Sequence, residues 1–192
     1  ETNCRLRPIT DDLLDGEQRK KNKEHIEKSK ELEVYENKSD NDICKIECDE
    51  ETNCEIFSFD FINNIFDISE NYKYNYVIKR NEPTRIYYGP AVEGEDGVDA
   101  ILCLMVDGDT AKEKYPDVIR HDIYRLLNHN CLADNLEVIA AGEVSIKGNQ
   151  LTFNNESGHY GGSLNADTQT YISELVNSIN SLYTCVFEEI VF

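Results

Sequence analysis

Two histidines and a glutamate in the C-terminal third of the chain are the residue types best suited to acid–base chemistry. Glu143 and His159 flank a Lys-Gly-Asn sequence, residues 147–149, which is typical of a tight turn that folds two runs together. A carboxylate beside an imidazole sets which ring nitrogen is free to act as a general base. His129 and Cys131 are candidates for the facing wall, since the spacing suits a base and a thiolate. An enzyme built here would use His159, Glu143 and His129 as catalytic residues.

The same region resembles a known sequence module. Residues 129–160 contain Ala-Gly-Glu, ending at Glu143, and Asn-Glu-Ser-Gly-His-Tyr, ending at Tyr160. This pattern is similar to the His-Ser-Ser, Ala-Gly-Glu and Asn-x-Ser-Gly-His-Tyr module of plant IQ-motif calmodulin-associated proteins and of the C-terminal regions of bacterial effectors and polymorphic toxins. The departures from the module are Asn130-Cys131 in place of Ser-Ser and Gly161-Gly162 in place of Arg-Pro.

The resemblance implies a toxin-like fold and, as one alternative, an effector-like transferase that uses Glu143 and His159, for example in ADP-ribosyl transfer. Ser157 and Tyr160 would then be ligand-binding residues. The missing arginine argues against an anion contact, and calmodulin binding does not carry over because no IQ motif occurs outside the match. A structural interpretation is also open, in which Ser157 bridges its own turn, His159 bonds backbone carbonyls and Tyr160 packs over a sheet edge.

The elements that must position these residues alternate between strands and helices. Period-two patterns and β-branched or aromatic runs predict strands at residues 55–61, 74–78, 84–88, 136–146, 150–154 and 184–192. Helices are predicted at residues 11–35, at residues 116–128, and after an N-cap at Asp167, with an apolar stripe of Ile172, Leu175, Val176, Ile179 and Leu182. Because no regular βαβ repeat is visible, the sequence favours an α+β fold with a mostly antiparallel sheet and packed helices.

Charge divides the chain into two parts. Residues 19–30 carry six bases and two acids, a net charge of +4, whereas residues 36–60 carry nine acids and two bases, a net charge of −7. We therefore expect a charged helical arm with a Cys-containing acidic segment at residues 1–54 and an α+β globular domain at residues 55–192. Two interpretations of the arm are open: a pair of solvated faces, or a docking arm for another macromolecule.

The overall composition excludes several classes of function. Nineteen Lys and Arg against thirty-eight Asp and Glu give a net charge of −19, which repels DNA, RNA and anionic lipid, so no nucleic-acid partner is expected. The longest apolar run, about residues 100–106, is far shorter than the roughly 18 residues of a membrane-spanning helix, so no membrane insertion is expected. The compartment and the oligomeric state stay open.

Seven cysteines cannot all pair within one chain. Cys103 and Cys185 lie in apolar runs, where a free cysteine behaves as a small hydrophobic residue. Cys44, Cys48 and Cys54 have the spacing of a disulfide clip or of half a zinc site, but a second ligand pair is missing. We therefore predict neither a metal nor a cofactor.

The tyrosines complete the set of candidate functional residues. Five of the eleven cluster at the predicted hairpin: Tyr72, Tyr74, Tyr76, Tyr87 and Tyr88. They suit either a partner interface or half-buried strand positions. Because no catalytic constellation is complete, we predict a non-enzymatic interaction or structural module that binds a protein partner through the charged arm and a Tyr-rich surface. The transferase that uses Glu143 and His159 is the alternative.

Overall fold

The structure, a computed structural model, describes residues 16–38, 59–60, 73–91 and 128–190. The strands in these residues are β1 (Phe59–Asp60), β2 (Tyr74–Lys79), β3 (Tyr87–Pro90), β4 (Val138–Lys147), β5 (Gln150–Asn154) and β6 (Thr184–Glu188). The helices are α1 (Gly16–Ser29), α2 (His129–Leu132) and α3 (Ala166–Ile179). The six strands form one sheet in the order β1-β3-β2-β4-β5-β6.

The sheet is antiparallel at every pair of neighbours except β5 and β6. These two strands are parallel because α3 carries the chain back along the sheet between them, and a parallel neighbour requires such a crossover. The predicted α+β class with a mostly antiparallel sheet is confirmed.

The hairpin of β4 and β5 forms where the Lys-Gly-Asn sequence predicts it. Lys147 pairs with Gln150, so the loop consists of Gly148 and Asn149 alone. Gly148 has a φ of +60°, a conformation that glycine adopts without steric cost. The two segments on either side of this turn therefore lie side by side, as expected.

The hairpin of β2 and β3 also forms, but the strand predicted at residues 84–88 begins only at Tyr87. Turns fill the connection: the N–H of Glu82 donates to the carbonyl of Lys79, and the N–H of Arg85 donates to the carbonyl of Glu82, both at 3.1 Å. The start of the predicted strand therefore lies in the connection between the strands, because the N–H of Arg85 is used to close a turn rather than to pair with another strand.

The helix predicted to start at Asp167 starts earlier. Asn165 is the N-cap, since its side-chain oxygen accepts the N–H of Thr168 at 3.0 Å, and Asp167 lies in the first turn. An acidic residue there still favours the helix through the macrodipole. Leu182 was expected on the apolar stripe but lies beyond the helix and is 70 % exposed. Three other stripe residues are buried in the core: Ile172, Leu175 and Val176.

Apolar layers cover the central strands on both faces. Tyr76 and Ile78 belong to the main core cluster with α3, whereas Val77, between them, belongs to a second cluster with α2 and Tyr160. Successive side chains of a strand point to opposite faces, so β2 is buried from both sides.

This two-sided burial overturns the expected Tyr-rich surface. Tyr74, Tyr76, Tyr87 and Tyr88 are each no more than 2 % exposed. Their rings supply core packing, and the hydroxyl of Tyr76, for example, donates to the carbonyl of Asn154 at 2.8 Å. A partner therefore has no access to these four tyrosines, while Tyr72 lies outside the described residues.

Part of the expected arm packs on the rest of the fold. Leu32 and Val34 contact the main core cluster, and Tyr35 pairs with Val138 at the start of β4. The sparse apolar residues of this segment did not indicate that contribution to the core.

Several predictions fall outside the described residues: the boundary between residues 54 and 55, most of the strand at 55–61, the helix at 116–128, and every cysteine except Cys131 and Cys185. Cys185 is free and half-buried against the core, as expected, and burial raises the pKa of its thiol to about 11. Among the helices of the described residues, none is both long enough and apolar enough to cross a membrane.

Candidate functional site

His129 opens α2, a single helical turn that ends in two left-handed residues. Asp134 and Asn135 have φ values of 54° and 60°, a conformation that short polar side chains tolerate better than most. The reversal returns the chain into β4, and the Nε2 atom of His129 lies 2.7 Å from the carbonyl oxygen of Gly142. Because a carbonyl only accepts, Nε2 carries the proton and Nδ1 is the basic nitrogen.

Burial controls the protonation of His129. Loss of solvation lowers its pKa to about 4; the bond to Gly142 and the charge of Glu143 oppose this shift, whereas the charge of His159 adds to it. His129 is therefore neutral at pH 7. Glu143 and His159 each lie near enough to His129 to influence its charge. We call His129, Glu143, Ser157, His159 and Tyr160 together the His129 corner.

Asn154, at the end of β5, forms two hydrogen bonds with Glu143. This residue was not among the candidates predicted from the sequence. Its side-chain oxygen accepts the N–H of Glu143 at 2.7 Å, and its Nδ2 donates to Oε1 of Glu143 at 3.1 Å. A Cβ added to Gly142 would lie 2.0 Å from the carbonyl oxygen of Asn154, so a glycine is needed where the strands approach. The only signal for this role in the sequence is an asparagine at a predicted strand end.

The two predicted ligand-binding residues are engaged within the fold. Oγ of Ser157 accepts the N–H of Tyr160 at 3.3 Å, which closes the turn. Tyr160 is fully buried, and its hydroxyl donates to the carbonyl of Leu136 at 2.9 Å. Their described contacts are therefore those of a turn and a core residue.

A strap formed by residues 35–38 crosses the His129 corner. Tyr35 exchanges two backbone hydrogen bonds with Val138, at 2.8 and 3.0 Å. The side-chain amide of Asn37 donates to the side chain of Asn130, and the N–H of Lys38 donates to the carbonyl of His159 at 2.6 Å. Sequence reasoning missed the strap because each contact joins residues that are distant along the chain.

The strap packs closely against Gly161 and Gly162. Gly161 has a φ of +56°, which an arginine adopts only with strain. A Cβ added to Gly162 would lie 2.7 Å from the ring of Tyr35, so a proline there would collide with the strap. The two glycines therefore suit a chain in which Tyr35 covers this loop.

The His129 corner contains a basic nitrogen, Nδ1 of His129, but its described residues form no metal-binding group of side chains. In the part of the chain that the structure describes, no group of three or more His, Cys, Asp or Glu side chains is placed to hold a metal ion. The Cys131 side chain lies outside that part, so its place in the facing wall stays a prediction.

The second candidate region is α1, whose inner side contacts α3. The ring of His25 meets the ring of Tyr171 edge-on, with centroids 5.7 Å apart. Nζ of Lys28 lies 2.5 Å from Oε2 of Glu174, and Ser29 is buried at the end of the helix. The inner side of α1 thus contacts α3 through the His25 ring and the Lys28 ion pair, and the last residue of the helix is buried.

The outer side of α1 is cationic. Arg19, Lys20 and Lys23 have exposed side chains, and 3.6-residue periodicity places Lys20 and Lys23 opposite the buried His25 and Ser29. Among the described residues, Lys20 and Lys23 have no ion-pair partner. Within the part of the chain that the structure describes, these two lysines are therefore exposed cations that no acidic side chain neutralises.

Comparisons of the chain with protein-family models, with curated proteins and with solved structures find no match.

Proposed function

We propose that the protein is a non-enzymatic interaction module that binds an acidic segment of a protein partner through the outer side of α1. The observation that carries this proposal is the two-sidedness of α1. Its inner residues His25 and Ser29 are buried, while Lys20 and Lys23 are exposed and form no ion pair among the described residues.

Anchoring makes α1 a better docking element than a free arm. The packing of buried His25 on Tyr171, with the ion pair between Lys28 and Glu174 beside it, joins the helix to α3. The strap joins the chain that follows α1 to β4. A helix that is already ordered does not lose backbone entropy when a partner binds, so more of the contact energy appears as affinity.

The net charge of −19 does not prevent this local attraction. Charges separated by more than about 10 Å are largely screened at about 0.1 M salt, so a short acidic segment on α1 responds mainly to the nearby cations. A long nucleic acid would extend past α1 and meet the acidic remainder of the protein, which disfavours it. The fourteen residues of α1 span about 21 Å, the length of a short peptide segment.

The proposal is tested with the full chain and a fluorescent poly-glutamate peptide of about fifteen residues, by anisotropy at about 0.1 M salt, where the remote acidic groups are screened. Lys20→Glu/Lys23→Glu should weaken binding by at least about tenfold. Lys73→Glu/Lys147→Glu is the matched control, because it makes the same charge change at exposed lysines outside α1 and should stay within about twofold.

Equal losses in the two variants, or no binding by the wild-type chain, would overturn the proposal. Preference for a labelled single-stranded oligonucleotide over the peptide would also overturn it, since the partner class would then be wrong.

The clustering of His129, His159 and Glu143 favours a second candidate, the effector-like transferase with a nucleotide-derived substrate. It predicts that NAD⁺ raises the melting temperature of the wild-type chain. His159→Ala should then remove this rise while the protein stays folded, and a wild-type chain indifferent to NAD⁺ argues against this chemistry.

A further inference from the structure

His25 is a buried titratable group in the contact between α1 and α3. Its side chain is 5 % exposed, and its Nδ1 atom is buried with no hydrogen-bond partner among the described residues. The ring meets Tyr171, whose hydroxyl donates to the carbonyl of Pro83 at 2.5 Å. Tyr171 is thus held at its hydroxyl end, and its ring lies nearly perpendicular to the imidazole of His25, at an angle of 83°.

The charged groups around His25 come from both helices. Burial is the main influence and lowers its pKa below the ordinary value; Lys28 and Lys21 on α1 act in the same direction. Glu174 on α3 and Glu24 on α1 oppose the shift. Tyr171 on α3 packs against the ring without a hydrogen bond to it.

We propose that His25 is a pH-sensitive latch: the neutral imidazole lets α1 pack on α3, and protonation releases α1. A charged ring has poor solvation in this contact, whereas on a released helix water surrounds it. The latch regulates the surface of the proposed function and rests on that function for its consequence, but the docking of α1 is measured without any partner.

The direction of the pH dependence follows from linkage. Docked His25 binds a proton less readily than released His25, so protons favour the released state. Docking should therefore be intact above the ordinary histidine pKa of about 6.5 and weaken as pH falls below it.

Hydrogen–deuterium exchange of the full chain tests the latch. After correction for intrinsic exchange rates, protection of residues 16–29 should fall at least about fivefold between pH 7.5 and about pH 5.5, while α3 keeps its protection. His25→Phe keeps an aromatic ring but cannot titrate, so it should abolish the fall.

Two further variants separate the imidazole from its neighbours. Glu174→Gln and Lys28→Gln break the same ion pair, but they move the pKa of His25 in opposite directions, since Glu174 raises it and Lys28 lowers it. Because both variants lose the ion pair, the comparison between them isolates the effect on His25. Release should have its midpoint at higher pH in Glu174→Gln than in Lys28→Gln, since a lower pKa in the docked state strengthens the preference of the proton for the released state. NMR titration of the His25 ring in the wild-type chain should give a midpoint below the ordinary value.

The latch is overturned by unchanged wild-type protection over this pH range, by a release midpoint at lower pH in Glu174→Gln than in Lys28→Gln, or by an ordinary titration midpoint of the His25 ring. None of these results alters binding of the poly-glutamate peptide at pH 7.5, where His25 is neutral. Conversely, a wild-type chain that releases α1 at low pH but never binds the peptide supports the latch and removes the proposed function.

Discussion

The His129 corner and α1 each contain a buried histidine, and they hold it in different ways. His129 donates its Nε2 proton to the carbonyl of Gly142, whereas Nδ1 of His25 has no hydrogen-bond partner among the described residues. Burial lowers the pKa of both rings. A hydrogen bond to a strand carbonyl makes the first histidine part of the scaffold, while the second is held by packing that a single proton can disturb.

The charged side chains of the two regions differ in the same way: one is held by hydrogen bonds and the others are exposed to solvent. Glu143 is bonded to Asn154 inside the corner, but Lys20 and Lys23 extend from α1 into solvent. Changes in the corner should therefore reduce the free energy of unfolding, and changes on the outer side of α1 should leave it almost unaltered.

The largest effect is expected from Gly142→Ala. The new methyl group would lie 2.0 Å from the carbonyl oxygen of Asn154, so β4 and β5 must separate. We expect the free energy of unfolding, measured in urea, to fall by at least about 3 kcal/mol. Gly158→Ala is the control, because an added Cβ there meets nothing within 4 Å. Similar values for the two variants would show that the close approach at Gly142 is not needed.

A smaller effect is expected from the titration of His129. Its pKa is about 4 in the folded chain and about 6.5 when unfolded, so the unfolded state binds more protons as pH falls below 6.5. Between pH 7 and pH 5 this difference should remove about 2 kcal/mol from the free energy of unfolding. His129→Gln retains a donor for Gly142 and cannot titrate, so its urea midpoint should depend less on pH by that amount. Parallel pH profiles would contradict the assignment.

The smallest effect is expected from Lys20→Ala/Lys23→Ala. These side chains are exposed and have no ion-pair partner among the described residues, so the free energy of unfolding should change by less than about 0.5 kcal/mol. Urea denaturation at neutral pH checks this. A loss above about 1 kcal/mol would place the two lysines in the scaffold and erase the contrast with the corner.

Local patterns predicted the parts of the fold whose contacts are close in sequence. The Lys-Gly-Asn turn specified the hairpin of β4 and β5, and the apolar spacing specified α3. The N-cap was placed two residues late because Asn165 and Asp167 are both good caps, and only the N–H of Thr168 shows which side chain is used.

For the candidate site, the sequence predicted which residues lie close together but not which hydrogen bonds they make. Sequence reasoning placed Glu143 and His159 near each other, and both lie close enough to His129 to influence its charge. It did not foresee that Asn154 would hold Glu143 or that the strap would cross His159, since an asparagine or a lysine contributes no pattern of its own.

By itself, the amino-acid sequence determined the class of the fold, the two central hairpins and the segregation of basic residues on α1, because turn chemistry, alternation and charge act between near neighbours. Only the tertiary structure decided that the tyrosines of β2 and β3 are buried, that β6 runs parallel to β5, and that α1 faces outward with its lysines. These outcomes depend on which surfaces pack together across long stretches of chain, and packing is a property of the assembled layers.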